Sequence, residues 1–231
     1  MQLTNIFSTL DEQYRQFKCG LKGDMGEFAV NLLLKYSAAG KLKTIRNIYV
    51  PLNDGKTSEI DIVVVHNTGL YAVECKNYSG WIFGSADNRY WTQTFANGKK
   101  YQFYNPVLQN KYHIKALSRY LAVNESCIKS YIVFGTECTL KKVPENTDDL
   151  CISALEMFIT NINHDIETKP PVFSDENVAV ITEKLSALRD SSGKTKAEHK
   201  QQVRDDHPEK RSSGSTAGKY GSSFTSSFFK F

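Results

Sequence analysis

One pair of neighbouring segments constrains this chain more than any other feature. Ser58-Glu-Ile-Asp-Ile-Val-Val-Val65 is followed, after a short turn at Asn67-Thr-Gly69, by Leu70-Tyr-Ala-Val-Glu-Cys-Lys-Asn77. Both segments are rich in Val, Ile, Tyr and Ala, so they read as adjacent strands covered on both sides. A period of two places Glu59, Asp61, Val63 and Val65 on one face of the first, and Leu70, Ala72, Glu74 and Lys76 on one face of the second. If His66 stands opposite Gly69 across a two-residue loop, Asp61 falls opposite Glu74 and Glu59 opposite Lys76. Two carboxylates held so close repel one another and raise one pKa unless a cation lies between them. Their hard oxygens suit Mg²⁺ or Mn²⁺. The competing reading is an ion-pair cluster on a solvated sheet face. Against it stands the apolar character of the strands, which implies burial of the charged group.

The flanking sequence builds an α/β chain around that pair. Apolar positions from Lys22 to Ala38 recur at helical spacing, with Gly40 as a stop. A strand is expected over Ile45 to Val50, completing a three-strand meander. Trp81 to Gly84 and Tyr90 to Phe95 read as a hairpin, with a turn at Ala96-Asn-Gly98. A long helix is expected from Pro106 to Ala122 with Val107, Ile114, Leu117 and Leu121 inward, then a buried strand over Ile128 to Gly135. Two further helices are expected near Ser153 to Ile162, opening with the pattern Ser153-x-x-Glu156, and near Asp175 to Leu188.

At 231 residues, with 40% hydrophobic and 12% aromatic residues, the chain supports one main core. After Asp190 the composition turns to Ser, Gly, Lys and Thr without apolar periodicity, so residues 190–231 are expected to be a disordered tail. Its last eight residues carry four phenylalanines, a docking motif for a protein partner or an incidental terminus. The Gly214-to-Tyr220 run lacks a spacer and the terminal hydroxyl residue of a phosphate-binding loop. The formal charge of +4 comes mostly from the tail, leaving residues 1–189 nearly neutral; this permits a nucleic-acid partner without requiring one. Five cysteines without a CxxC pair suit reduced thiols in the cytoplasm. No apolar run approaches the roughly 20 residues that cross a bilayer, so no membrane role is expected.

Asp61 followed by Glu74-Cys-Lys76 resembles the Asp and Glu-x-Lys signature of the PD-(D/E)xK nuclease superfamily. The surrounding text sharpens the likeness. Gly23-Asp-Met-Gly-Glu27, Thr57-Ser-Glu-Ile-Asp61, Gly69-Leu-Tyr-Ala-Val-Glu-Cys-Lys-Asn-Tyr-Ser-Gly80 and Asn105-Pro-Val-Leu-Gln-Asn110 stand in the order and spacing of the NERD (nuclease-related domain) family. The resemblance covers roughly residues 20–135. It implies a restriction-endonuclease-like mixed sheet flanked by helices, and a site made of Glu27, Asp61, Glu74, Lys76 and Gln109. Asp61, Glu74 and the carbonyl of Cys75 would hold Mg²⁺ or Mn²⁺, with Glu59 and Asn77 as accessory residues. The implied activity is metal-dependent hydrolysis of DNA or RNA phosphodiesters. The alternatives are a non-catalytic nucleic-acid-binding module or a protein-interaction module on the same fold. The expected organisation is an N-terminal extension (1–19), the nuclease-like domain (20–135), a helical extension packed on it (136–189) and the tail (190–231). Tyr71, Tyr78, Trp81 and Trp91 are expected to pack in the core or across strands rather than on bases, and His113 to be a surface or bridging histidine.

Overall fold

The computed structural model describes residues 42–189, with isolated positions 197 and 201 beyond them. The expected helix over 22–38, with Glu27, lies outside the described residues, as do the extension 1–19 and the Phe-rich end of the tail. The described chain opens with the meander β1 (Lys43–Pro51), β2 (Thr57–His66) and β3 (Gly69–Lys76). Three short strands follow, β4 (Gly80–Phe83), β5 (Tyr90–Thr94) and β6 (Lys100–Tyr104), and then helix α1 (Pro106–Leu121). After a 3₁₀ turn come β7 (Ile128–Phe134), β8 (Cys138–Lys142) and β9 (Leu150–Ala154), then α2 (Leu155–Thr168) and α3 (Asp175–Ser186).

Two mixed sheets result. The larger has the order β1-β2-β3-β7-β9 and the smaller β6-β5-β4-β8. β1, β2 and β3 pair antiparallel, whereas β3 with β7 and β7 with β9 are parallel. Apolar residues point to both faces of the larger sheet because helices cover both. On one side Ile62, Val64, Tyr71, Val73, Tyr131 and Val133 meet Phe158, Ile159 and Ile162 of α2. On the other, Val63, Val65, Leu70 and Ala72 meet Ile114 and Leu117 of α1 and Ile181 and Leu185 of α3. The fold is therefore α/β with mixed sheets flanked by helices, compatible with a restriction-endonuclease-like core.

The smaller sheet lays Ile82, Trp91 and Phe103 against Ile132, Phe134 and Ile152 of the larger one. Trp91 stacks on Phe134 with ring centroids 6.2 Å apart and planes 4° from parallel. Gly84 makes this possible, since a Cβ there would lie 2.1 Å from Trp91 Cδ2.

Two expectations need correction. Ser153 does not open a helix: it pairs with Val133 inside β9, and α2 starts at Leu155 after Ala154, which makes no side-chain cap. Pairing with a buried parallel neighbour outweighs a local capping pattern worth about 1 kcal/mol. Residues 136–189 are also more than helical, because β8 joins the smaller sheet and β9 the larger. Among the described residues no helix is long and apolar enough to cross a membrane.

Candidate active site

The site grows from a break in the β2–β3 hairpin. The ladder runs from His66↔Gly69 to Ile62↔Val73, a register that brings Asp61 level with Glu74. There a side chain replaces backbone pairing, as the Cys75 N–H donates to Asp61 Oδ2 at 2.8 Å. The other flank of Asp61 is irregular as well. In β1, Arg46 pairs with Ile62 and Ile48 with Ile60, and Asn47 between them has a left-handed φ of 51°. Strict alternation would send Ile60 and Val63 to opposite faces, yet both lie in the core under α1 and α3. The strand turns over at Asp61, which also directs Ser58 towards α1.

Helix α1 supplies the facing wall. Asn105 caps it, accepting from Val107 N at 2.9 Å while its amide donates to the carbonyls of Ser85, Ala86 and Asn88. Its buried stripe includes Gln109, Asn110 and His113. Asn110 donates to the carbonyls of Ala72 and Tyr131 and to Ser130 Oγ, fixing the helix to the middle of β3 and β7. One turn apart, Gln109 and His113 therefore reach the strand ends that carry Glu74 and Lys76.

The result is a closed polar cluster. Lys76 Nζ donates to Glu74 Oε1 at 2.6 Å and to Gln109 Oε1 at 2.9 Å, and Gln109 Nε2 donates to Glu74 Oε1 at 2.8 Å. His113 Nε2 lies 3.3 Å from Glu74 Oε2, while its Nδ1 lies 2.7 Å from Ser58 Oγ. A Ser58 hydroxyl donating to Nδ1 and an Nε2–H donating to Glu74 would satisfy every partner. Glu74 is 3% exposed, Lys76 7% and Gln109 4%, whereas Asp61 is half-buried.

Burial disfavours the charged form of Glu74, but Lys76 and His113 outweigh it and pull the carboxyl down to about 2. Burial likewise works against the Lys76 ammonium, and Glu74 reverses it, leaving the lysine above its usual value and firmly charged. Asp61 is the opposite case. Burial, followed by the charge of Glu74, raises its carboxyl well above the usual range, with the Cys75 N–H and Lys76 only partly compensating. The cluster thus matches the charge of Glu74 and leaves that of Asp61 undercompensated, as a site that takes a cation beside Asp61 requires.

Asp61, Glu74, Lys76 and Gln109 converge as expected. Glu27 lies outside the described residues. The expected facing of Glu59 and Lys76 is replaced by other bonds: Glu59 accepts from the Tyr49 hydroxyl at 2.9 Å and Lys76 turns to Glu74 and Gln109. Glu59 still acts on Asp61 through its charge. Asn77 is exposed just past β3. His113, expected as a surface or bridging histidine, is fully buried and bridges Ser58 and Glu74, so it joins the site although it was not among the expected site residues. Its signal was the four-residue spacing from Gln109 along one helix face. Among the described residues no three His, Cys, Asp or Glu side chains are grouped to hold a metal. The donors that fit one are Asp61, Glu74 and the Cys75 carbonyl, an all-oxygen set suited to Mg²⁺.

A five-stranded mixed sheet between helices, joined by a smaller mixed sheet, with an aspartate at a broken hairpin and a buried Glu-x-Lys pair, defines an α/β domain of restriction-endonuclease-like architecture. Residues 22–135 match the family model of the nuclease-related domain, NERD. An uncharacterized protein of Bacillus anthracis is 38% identical over 122 residues, which is 53% of this chain and 57% of that protein. The chain thus spans little more than half the length of that relative. The crystal structure of protein of unknown function AF1548 aligns over 78% of this chain and 96% of its own, at 14% identity and a TM-score of 0.33.

Proposed function

We propose that the nuclease-related domain hydrolyses phosphodiester bonds of nucleic acid, DNA above all, in a metal-dependent reaction centred on Asp61, Glu74 and Lys76. The observation that carries this reading is the buried Lys76 ammonium, fixed between Glu74 and Gln109 beside a carboxylate whose charge is not compensated. A binding module needs cations for phosphate but has no use for paired carboxylates, which repel it.

Asp61, Glu74 and the Cys75 carbonyl would hold Mg²⁺ or Mn²⁺, which when bound supplies Lewis acidity towards a phosphoryl oxygen and acidifies water. Lys76, held charged by Glu74, offsets phosphate charge and orients the attacking water, and Gln109 holds the ammonium in place. His113 restrains the second oxygen of Glu74. Glu27 would complete the set from the N-terminal side, with Glu59 and Asn77 at its margin. In the reaction water oxygen bonds to phosphorus, the bond to one ester oxygen breaks, the water gives up a proton and the leaving oxygen gains one. Cys75, Cys127, Cys138 and Cys151 are all free thiols, which supports a reducing, cytoplasmic setting.

The test is incubation of the full chain with linear, circular and single-stranded DNA and with RNA, in Mg²⁺, Mn²⁺ or EDTA, beside Asp61→Ala and Lys76→Ala. Cutting by wild type alone, and only with metal, is the expected result. Identical behaviour of folded wild type and both variants in every condition would remove the proposal.

A further inference from the structure

The four-stranded sheet has a second face, turned away from the core, that the reaction above does not use. On β4, Trp81 and Phe83 point outward at 41% and 37% exposure, about 6.6 Å apart along the strand. Cross-strand register places Thr94 and Thr92 beside them, and Tyr90, 42% exposed, shares the parity of those threonines on β5. Cations stand over the aromatic rings. Lys141 Nζ lies 5.8 Å from the Trp81 ring centre and the Arg89 guanidinium 5.6 Å from that of Tyr90.

The position of Lys141 has a structural cause. Ile82 pairs with Leu140 and Phe83 with Lys142, so Lys141 is the extra residue of a bulge in β8. Bulges re-aim side chains, and this one sets an ammonium over an exposed indole. Charge is concentrated here too. Residues 80–104 and 138–142 carry Arg89, Lys99, Lys100, Lys141 and Lys142 against Asp87 alone, while residues 1–189 as a whole are nearly neutral. Of the four aromatic residues weighed above as base-stacking groups, Tyr71 and Trp91 are buried and Tyr78 packs on Phe103 at 4.4 Å. Trp81 is the one left open.

We propose that this outer face binds a single-stranded polynucleotide, with Trp81 and Tyr90 stacking on bases and Lys141 and Arg89 contacting adjacent phosphates. Exposed aromatics interleaved with cations form the platform that single strands favour, because every base has a stacking surface and every linkage a charge. An exposed cation–π contact is weak enough to be exchanged for a base on the ring and a phosphate on the cation. A duplex, whose bases are already stacked, gains little from such a face. The platform lies near the candidate active site: Trp81 follows Lys76 by five residues, a reach of at most about 18 Å. The inner face of the same sheet also packs on Phe134, the register partner of Lys76.

The inference deepens the nuclease reading by naming a substrate class, and its test is made with cutting switched off so that the two can fail separately. Labelled oligo-dT, oligo-rU and a duplex are titrated with the full chain in EDTA, by anisotropy and by intrinsic emission. Trp81 and Trp91 are the two tryptophans of the chain, so Trp81→Phe leaves Trp91 to report on folding.

Wild type should bind both single strands with quenching of emission. Trp81→Ala should weaken that binding about tenfold or more, and the Lys141→Glu/Lys142→Glu pair should weaken it and flatten its salt dependence. Trp81→Phe should lose the quenching while Trp91 emission stays unchanged. The proposal fails if wild type binds no single strand, or if folded Trp81→Ala binds as wild type. It also fails if light scattering shows that Trp81 mediates self-association while polynucleotide binding is untouched by its loss.

Discussion

Lys76→Met offers the most informative perturbation of the site. The variant removes one ammonium and leaves Glu74, 3% exposed, with only the Gln109 amide at 2.8 Å and His113 at 3.3 Å. Deleting one partner of a buried ion pair costs about 3–5 kcal/mol. In a fold of this size that corresponds to a fall in Tm of about 6–20 °C. Glu74→Gln in the same background removes the orphaned charge while keeping atoms that can meet Gln109 and His113. The double variant should therefore recover at least about 2 kcal/mol of what Lys76→Met lost.

The pH dependence gives an independent check on sign. With Lys76 present, the carboxyl of Glu74 is held at about 2, below its usual 4.5. Its contribution is complete above 4.5 and is lost as pH falls through about 2. Without Lys76, burial prevails and raises the carboxyl, so the variant gains stability as pH falls towards 4.5. The gap between wild type and Lys76→Met should narrow between neutral pH and about pH 4. Urea unfolding of the full chain measures wild type, Lys76→Met, Glu74→Gln and the double variant. Additive single and double variants, or a gap indifferent to pH, would refute the pairing of Lys76 with Glu74.

Asn105→Ala should cost about 2–3 kcal/mol, since it removes the cap of α1 and the amide that ties the carbonyls of Ser85, Ala86 and Asn88; urea midpoints measure it. Gly84→Ala places a methyl 2.1 Å from Trp91 and should cost about 1–3 kcal/mol or more, with a change in Trp91 emission. Burial pushes the Tyr71 hydroxyl up to about 12, so the stability it contributes is present below about 10 and is lost as pH rises through 12. Tyr71→Phe should flatten that alkaline loss by about 2–3 kcal/mol in pH-dependent unfolding. Asp61→Asn retains an acceptor for the Cys75 N–H and removes a carboxylate disfavoured by burial and Glu74. It should be at least as stable as wild type at neutral pH, and Asp61→Ala less stable by about 1–3 kcal/mol. Nuclease activity should be lost in both.

What was legible in the sequence followed from local rules. The Asn67-Thr68 turn, with Gly69 at a φ of 148°, fixes the parity of β2 against β3. Asp61 and Glu74 could then be placed level with each other by counting, and Gln109 followed from the spacing of the family resemblance. β6, β8 and β9 could not be found this way. The first two are largely exposed strands of the smaller sheet, with Lys in place of an apolar alternation, and become strands only by pairing with β5 and β4. Ser153 carried a helix-start pattern that the parallel pairing with β7 overrode. The place of His113 in the site was missed because the inward face of α1 was read from Val107, Ile114, Leu117 and Leu121, while Val107 is only half-buried and the buried stripe continues through Gln109, Asn110 and His113. An apolar stripe shows which face is inward but not where its polar end begins.

The irregularity at Asp61 was hidden for a related reason. Period-two reasoning assumes an unbroken ladder, and the position that matters is where the ladder is interrupted on both sides, at Asn47 and at Glu74. The interruption has a physical use. A regular strand would satisfy the Cys75 N–H with a neighbouring carbonyl; here the carboxylate of Asp61 takes that place and is held at the break by it. One oxygen of Asp61 is thereby committed to the backbone, and burial with Glu74 makes its charge costly. A cation bound there would relieve that cost. Stability and metal affinity should consequently oppose each other at Asp61, and this opposition separates a chemically poised aspartate from one that merely closes a strand.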